Sequence, residues 1–257
     1  MSAKLRLFSL VAGAVALAII AVLVWRHQAA ERTAALDAGQ RAAMEQVVRD
    51  TLMKHPEIIL DAVQALEKQR KAADADAQDA VLAAHRKALD DDPNSAVLGN
   101  PQGDVTVVEF FDYHCPYCKA MTDGVFDIIN SDGKVRYVMK ELPVLGPESV
   151  YAARAAIAAR NQQKYEELHR ALMHIKGPLN EQTVMRAAAE VGINTDKLKK
   201  DMEDEQIDKI INDDLALAHT LDIEGTPGWV IGKQATSGAM SPQAFKQLIE
   251  QARRTKS

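Results

Sequence analysis

One stretch, Val105 to Lys119, constrains this chain of 257 residues more than any other. It reads VTVVEFFDYHCPYCK and holds both cysteines of the chain, Cys115 and Cys118. The run from Val105 to Phe111 is β-branched and aromatic and follows the turn signal Asn-Pro-Gln-Gly-Asp at 100–104, so it predicts a buried strand of an α/β sheet. The two thiols are therefore expected directly after a strand.

The residues after this strand predict a helix that begins at Pro116, because a proline at the first helical position lacks an N–H that would have no partner there. Apolar residues continue at helical spacing through Met121, Val125, Ile128 and Ile129. Cys115 thus lies at a helix N-terminus, which stabilises a thiolate and lowers its pKa from about 8.5 to roughly 3.5–7.5. Cys118 is expected to be less exposed and to attack the mixed disulfide formed at Cys115.

Two other uses of the cysteine pair are open at this point. A structural zinc site needs four ligands, and the chain has no second cysteine pair. His169 and His174 stand at finger-like spacing, but in a predicted amphipathic helix where surface or interface histidines are commoner. A purely structural disulfide would close so short a loop that it restricts the unfolded chain little. We therefore favour redox catalysis, which needs no metal or organic cofactor.

Two separated motifs carry a family resemblance. Phe110, Phe111 and Cys115-Pro116-Tyr117-Cys118 after a strand, with Gly225-Thr226-Pro227 far downstream, resemble the DsbA-like branch of the thioredoxin fold. The resemblance covers about Val97 to Ala252 and implies an α/β thioredoxin fold with a helical insertion. Lys140 to Ser149 and an N-terminal extension containing His55-Pro56-Glu57 look most like the suppressor of copper sensitivity protein C (ScsC) group. Proteins of that group are periplasmic disulfide isomerases and oxidoreductases, some of them oligomeric through the extension.

The resemblance also implies further site residues. The proline at the position of Pro227 has a cis peptide bond and lies against the cysteine pair, and the backbone at Thr226 can pair with an extended substrate segment. Glu109 stands where the DsbA-like family carries a buried acid, for proton relay or tuning of the redox potential; a salt bridge to Lys140 is the alternative. His114 directly precedes Cys115 and, as an imidazolium, would favour the thiolate.

Residues 1–27 predict a signal anchor or a signal peptide. An uncharged run of nineteen residues, Leu7 to Trp25, follows Lys4 and Arg6. As a helix it extends about 28 Å, close to the thickness of the hydrocarbon core. Trp25-Arg26-His27 is a poor cleavage site and Thr33-Ala34-Ala35 lies well past the run, so an uncleaved anchor is favoured. The charge bias across the span is slight, but thiol oxidoreductases of this kind belong in an oxidising space, the periplasm.

Residues 28–92 predict a helical extension, because they are rich in helix formers and contain no glycine after Gly39. Pro56 divides the extension, so we expect one helix before Lys54 and another from Pro56 to about Leu89. An apolar stripe runs along both helices through Val47, Val48, Leu52, Ile58, Ile59, Val63 and Leu66. It packs either on the chain's own catalytic domain or on other copies. The polar segment 68–78 resembles a solvated spacer and favours a homo-oligomer formed through residues 40–67.

Residues 93–257 predict the catalytic domain. The turn Asp132-Gly133 and a strand from Val135 to Met139 complete a β-α-β unit. A helical insertion follows at about 148–221, with breaks at Gly177-Pro178 and at 192–194. A short strand after Pro227, a second strand near Ala235 to Ser237 and a helix from about Ser241 to Arg253 end the domain.

The whole chain predicts a periplasmic thiol-disulfide oxidoreductase, anchored in the inner membrane through residues 7–25. Its expected partners are unfolded or misfolded periplasmic proteins and a membrane redox protein. The net charge of −5 argues against nucleic acid as a partner. Isomerase, oxidase and reductase share these residues and differ in redox poise and partners. The alternative is a membrane-tethered chaperone or a copper-binding module that uses the two soft thiolates.

Overall fold

The computed structural model describes residues 20–25 and 37–255, and the chain divides into two compact units, Met1–Arg70 and Lys71–Ser257. In the first unit, residues 20–25 are helical and helix α1 spans Ala38–Lys54. A capping box closes the first turn of α1, because Asp37 and Gln40 each accept the backbone N–H of the other. Helix α2 spans Glu57–Ala84, so the break predicted at Pro56 is confirmed.

The membrane span predicted at residues 7–25 lies for the most part outside the described residues, which include only 20–25 of it. Among the residues that are described, no helix has both the length and the apolar character that crossing a bilayer requires.

The second half of the extension departs from the sequence prediction. Helix α2 ends at Ala84 and a short helix, α3, spans Arg86–Asp90, so the predicted single helix to Leu89 is wrong. His85 makes the break, with φ −108° and ψ 9°. The second compact unit begins at Lys71, and Leu82 and Leu89 are fully buried in its core.

A five-stranded sheet forms the centre of the second unit. The strands are β1 (Ala96–Gly99), β2 (Val105–Phe111), β3 (Val135–Glu141), β4 (Gly228–Ile231) and β5 (Gln234–Ser237), in the order β1-β3-β2-β4-β5. Strands β2 and β3 are parallel, and the other pairs are antiparallel. The strand predicted at Val105 to Phe111 is therefore confirmed as the middle strand of the sheet.

The two faces of the sheet are covered by different elements. On one face, the cysteine helix α4 (Pro116–Asp132) and the C-terminal helix α10 (Pro242–Thr255) pack on alternate residues of β2, including Val107 and Phe111. On the other face, Val108 and Phe110 pack with Leu82 and Leu89 of the extension. Glu109 and Lys140 consequently project to opposite faces, which decides their partners below.

All regular secondary structure of the insertion is helical, as predicted. It contains α5 (Pro147–Ala159), a 3-10 turn (Arg160–Gln162), α6 (Tyr165–Met173), α7 (Glu181–Glu190), α8 (Thr195–Asp201) and α9 (Glu205–Thr220). The predicted breaks at 177–178 and 192–194 are confirmed, and two further breaks occur at 160–164 and 202–204. Asn180, Asn194 and Asp204 cap the helices that follow these turns, each accepting a backbone N–H from the first turn.

Candidate active site

Cys115 is the N-cap residue of α4, at the end of the loop that follows β2. Its Sγ accepts the backbone N–H of Cys118 at 3.4 Å. Asp112 fixes the loop, because its buried carboxylate accepts hydrogen bonds from the backbone of His114 (2.6 Å) and of Leu145 (2.9 Å) and from the Ser149 hydroxyl (2.7 Å). The nucleophile predicted from the sequence thus lies at a helix N-terminus, on a rigidly held loop.

The segment before β4 lies against the cysteine. Cys115 Sγ is 3.2 Å from the carbonyl oxygen of Thr226, to which the thiol form can donate. The peptide bond between Thr226 and Pro227 is cis, as the resemblance implies. Two motifs that are more than a hundred residues apart in sequence therefore meet at one sulfur atom.

The two thiols have opposite acidities. The hydrogen bond from the Cys118 thiol is the largest influence on Cys115 and lowers its pKa to about 5, assisted by Thr226 and by the backbone N–H groups of Cys118 and Tyr117. The same hydrogen bond, together with burial and the charge of Glu109, raises the pKa of Cys118. Cys115 is 3% exposed and Cys118 1% exposed, in the predicted order. At neutral pH, Cys115 is a thiolate and Cys118 a thiol.

Glu109 is buried on the face of β2 that α4 covers. The hydroxyl of Tyr137, from the neighbouring β3, donates to its carboxylate. Burial, and the charge of Cys115, raise the pKa of Glu109 well above its usual range. The alternative salt bridge to Lys140 is wrong, because Lys140 projects to the other face of the sheet and pairs with Asp92 (2.7 Å) and Asp214 (2.9 Å).

His114 is exposed beside the cysteine. Its backbone N–H donates to Asp112, and in the described structure no hydrogen bond joins its ring to the sulfur of Cys115. Its predicted influence on the thiolate stays a prediction.

A second buried polar cluster was not predicted from the sequence. The carboxylate of Glu141, at the end of β3, accepts the hydroxyls of Tyr165 (2.8 Å) and Tyr113 (3.3 Å), and Tyr113 also lies 3.1 Å from Nδ1 of His169. Burial raises the pKa of Glu141 well above its usual range and lowers that of His169 to about 3, so His169 is neutral at pH 7. We call these four residues the Glu141 cluster.

The Glu141 cluster corrects the expected position of His169, and one feature of the sequence could have predicted the burial of Glu141. His169 was expected at a surface or an interface and is instead 1% exposed, whereas His174 is exposed and pairs with Asp123. Alternation along β3 places Glu141 on the same side as Tyr137 and Met139, so the parity of the strand already pointed its side chain inward. Within the described part of the chain, no group of three or more His, Cys, Asp or Glu residues has the arrangement of a metal site.

Comparison with known proteins connects this geometry to a family. The family model described as Thioredoxin matches residues 91–251, well over half of the chain. The chain belongs to the thioredoxin family. A second model, the copper resistance protein ScsC N-terminal domain, matches residues 40–73, where the sequence predicts an oligomerisation element.

Solved structures identify the branch of the family. A thioredoxin-like oxidoreductase from Silicibacter pomeroyi is 46% identical, with a TM-score of 0.65, over 66% of this chain and 98% of that one. ScsC from Proteus mirabilis is 31% identical, with a TM-score of 0.63, over 86% and 99%. The thiol-disulfide exchange protein alpha-DsbA2 from Wolbachia pipientis is 27% identical, with a TM-score of 0.65, over 70% and 97%. The resemblance to DsbA-like and ScsC proteins is thus confirmed.

Several curated relatives are longer proteins. The Na(+)/H(+) antiporter NhaA 1 from Salinispora arenicola is 27% identical over 158 residues, which is 61% of this chain. The chain spans about a quarter (24%) of the length of that antiporter.

Proposed function

We propose that this chain is a periplasmic thiol-disulfide oxidoreductase that exchanges disulfides with extracytoplasmic proteins through Cys115 and Cys118. The observation that carries the proposal is the state of Cys115. Its sulfur accepts a helix N-terminal N–H, has a pKa of about 5 and lies against Thr226. A thiolate in this setting is both the attacking group and a good leaving group in disulfide exchange.

The reaction needs two exchanges. The Cys115 thiolate attacks one sulfur of a substrate disulfide, forms a mixed disulfide and expels the other substrate sulfur as a thiolate. Cys118 then loses its proton and attacks Cys115, which closes the Cys115–Cys118 disulfide and releases the substrate as a dithiol. Two electrons pass from the protein to the substrate, and the reverse sequence oxidises a substrate. Isomerisation is the case in which a second substrate thiol, not Cys118, resolves the mixed disulfide.

The described geometry supports a relay in the second exchange. Glu109 and Cys118 are close enough for the charge of one to raise the pKa of the other. The ionised form of Glu109, made more basic by burial, can therefore take the Cys118 proton as the thiolate forms, and Tyr137 holds the carboxyl group in place. Thr226, beside Pro227, has a backbone that can pair with an extended substrate segment.

We infer that the chain acts as an oligomeric isomerase and not as a monomeric oxidase. The apolar stripe of α1 and α2 is exposed, with Val47 at 63%, Ile59 at 53% and Val63 at 47%. Such a surface favours association with other copies of the chain. Several active sites held together could retain one misfolded substrate through successive exchanges. Periplasmic location and a membrane anchor remain part of the proposal, on the grounds that this chemistry needs an oxidising compartment.

The test measures the isomerase, oxidase and copper-binding activities of the full chain, together with its redox potential. Reactivation of scrambled ribonuclease, at a rate above that of glutathione buffer alone, supports isomerase activity. Oxidation of reduced ribonuclease without reactivation of the scrambled form would assign an oxidase instead. A Cys115→Ser variant is the control and should lose both. Anaerobic titration with Cu(I) tests the copper-binding alternative: stoichiometric binding without exchange activity would overturn the proposal.

A further inference from the structure

A groove at the active-site edge of the sheet takes no part in the reaction described above. It has a volume of about 380 Å³ and lies between the loop that follows β3 and the loop that precedes β4. Its apolar lining includes Leu142, Val144, Leu215 and Ile223, and its polar lining consists of His219, Asp222 and Glu224. We call it the Val144 groove.

Both loops of the Val144 groove are tied to the catalytic cysteine. On one side, the backbone of Leu145 donates to the carboxylate of Asp112, whose carbonyl oxygen accepts the N–H of Cys115 at 3.0 Å. On the other side, Glu224 is two residues before Thr226, whose carbonyl oxygen is 3.2 Å from Cys115 Sγ. Paired strands advance by the same length per residue, so in a substrate strand that pairs with the backbone at Thr226 the second or third neighbour of the cysteine stands opposite Glu224.

The groove is continuous with the surface where the cysteine is attacked. Glu224 lines both the Val144 groove and a shallow cleft formed with Tyr117, Thr226 and Gly238. Tyr117 is 63% exposed at the first turn of the cysteine helix. A polypeptide lying across Cys115 therefore reaches the groove without leaving the surface of the protein.

The chemistry of the groove is asymmetric. Val144 is 50% exposed and its neighbour Leu145 is 48% exposed. These two side chains therefore offer apolar surface to a partner. Asp222 and Glu224 are exposed at its rim, and no ion pair involves either of them within the described part of the chain. An apolar surface beside two carboxylates complements an apolar side chain that is followed by a cationic one.

We propose that the Val144 groove selects substrates with a large apolar residue next to an Arg or Lys, two or three residues from the cysteine under attack. This inference rests on the proposed exchange function and specifies the class of polypeptide that the same site prefers. The selected step is balanced in itself, because the Cys115 thiolate forms one S–S bond while the substrate sulfur leaves as a thiolate. No other oxidant or reductant enters.

The experiment uses short cysteine peptides, each linked by a disulfide to a coloured aryl thiol, and the reduced full chain. The test peptide carries Leu-Arg two and three residues from the cysteine; the comparison peptides carry Leu-Glu and Ser-Arg. Each is made in both chain directions. The rate of release of the aryl thiolate gives the second-order rate constant. We expect Leu-Arg to react at least about fivefold faster than either comparison peptide in one direction, as a gain of about 1 kcal/mol implies.

Two variants with the same change of charge isolate the groove. Glu224→Lys should abolish or invert the preference for Leu-Arg over Leu-Glu. Glu203→Lys, at an exposed position of the insertion outside the groove lining, should retain it. Val144→Ser should reduce the preference for Leu-Arg over Ser-Arg. Ratios of peptides within one variant are compared, so a general change in folding or reactivity cancels.

The outcomes separate this inference from the proposed function. If the parent protein releases no thiolate even from a small neutral aryl disulfide, the exchange function itself fails. If it reacts with that disulfide but shows equal rates for the three peptides, the groove has no selective role and the inference is overturned. A change in molecular mass on Glu224→Lys, seen by light scattering, would assign the groove to contact with a second copy and would also overturn it.

Discussion

At the scale of single residues, Cys115 and Cys118 owe their different roles to one shared hydrogen bond. A thiolate at Cys115 accepts the Cys118 S–H, which stabilises charge on the first sulfur and holds the proton on the second. The helix N-terminus adds backbone donors to the same sulfur. The side chain of Cys118 is therefore the largest single influence on the acidity of Cys115.

We predict that Cys118→Ala raises the pKa of Cys115 above about 5, whereas Cys118→Ser, which keeps a hydroxyl donor, raises it less. The pH dependence of alkylation by iodoacetamide measures this value, because only the thiolate reacts. In the parent protein, the rate should reach half of its plateau near pH 5. Equal midpoints for the Ala and Ser variants would show that backbone donors alone set the acidity.

Glu109 influences the pKa of Cys118, whereas the groups that lower the pKa of Cys115 are Cys118, Thr226 and the backbone N–H groups of the first helical turn. We predict that Glu109→Gln slows release of a preformed Cys115–substrate mixed disulfide by about tenfold or more, the usual magnitude for loss of a general base. The alkylation midpoint of Cys115 should stay near that of the parent. Rapid mixing followed by acid quench measures the release. An unchanged release rate would assign Glu109 a structural role only.

Sequence reasoning located the site residues that depend on local pattern and on the family motif. Cys115 and Pro116 follow a β-branched strand, so the cap position could be predicted. The partner of Glu109 could not, since the pairing register of β2 with β3 decides that Tyr137 and not Lys140 shares its face. His169 was misplaced because an amphipathic helix alone does not show which of its polar residues meets a buried acceptor.

At the scale of elements, the Glu141 cluster joins the insertion to the loop that carries the cysteines. Tyr165 and His169 belong to α6, Tyr113 to the cysteine loop and Glu141 to β3. The side chains around Glu141 are those of Tyr113, Tyr165 and His169. An ionised carboxylate at such depth would be strongly disfavoured, so these neutral partners suit a carboxyl group that keeps its proton. The cost is a carboxyl group that resists ionisation in the folded protein.

This cost predicts a pH dependence of stability. Between the ordinary pKa of a glutamate and the raised pKa of folded Glu141, the unfolded chain releases a proton that the folded chain keeps, so stability falls as pH rises. Glu141→Gln should therefore gain stability relative to the parent from pH 4 to pH 7, by at most about 1.4 kcal/mol per pH unit.

Urea unfolding at matched pH values measures the difference. Tyr165→Phe provides the contrast: it removes a hydroxyl donor but leaves the acid, so it should cost about 1–3 kcal/mol. A stability difference between Glu141→Gln and the parent that does not change with pH would contradict the raised pKa of Glu141.

The limits of helices were predictable only where the sequence carries a local signal. Pro56 and Gly177-Pro178 lie in the breaks between helices, where they remove or redirect backbone donors, and both breaks were predicted. The break at His85 has no such signal. It lies between Leu82 and Leu89, which are both buried in the core of the catalytic unit. The sequence predicted an unbroken helix from Ala84 to Leu89. Tertiary burial decided this boundary.

At the scale of the whole molecule, the catalytic unit and the extension contribute different properties. The unit from Lys71 onward contains every residue of the exchange reaction. The stripe on α1 and α2 contributes none of them, yet it exposes large apolar side chains that are costly to leave in water. Association and chemistry should therefore respond to different substitutions.

We predict that the triple variant Val47→Glu, Ile59→Glu and Val63→Glu reduces the full chain to monomers in light scattering, because three charges in an apolar contact have no partners. Reactivation of scrambled ribonuclease should fall severalfold, while alkylation of Cys115 keeps the parent rate and midpoint. The matched control is Gln64→Glu, Gln69→Glu and Gln78→Glu, which adds the same charge at polar positions of α2 and should keep the parent mass. A parent protein that is already monomeric, or a monomeric variant with full isomerase activity, would detach isomerisation from the stripe and favour an oxidase.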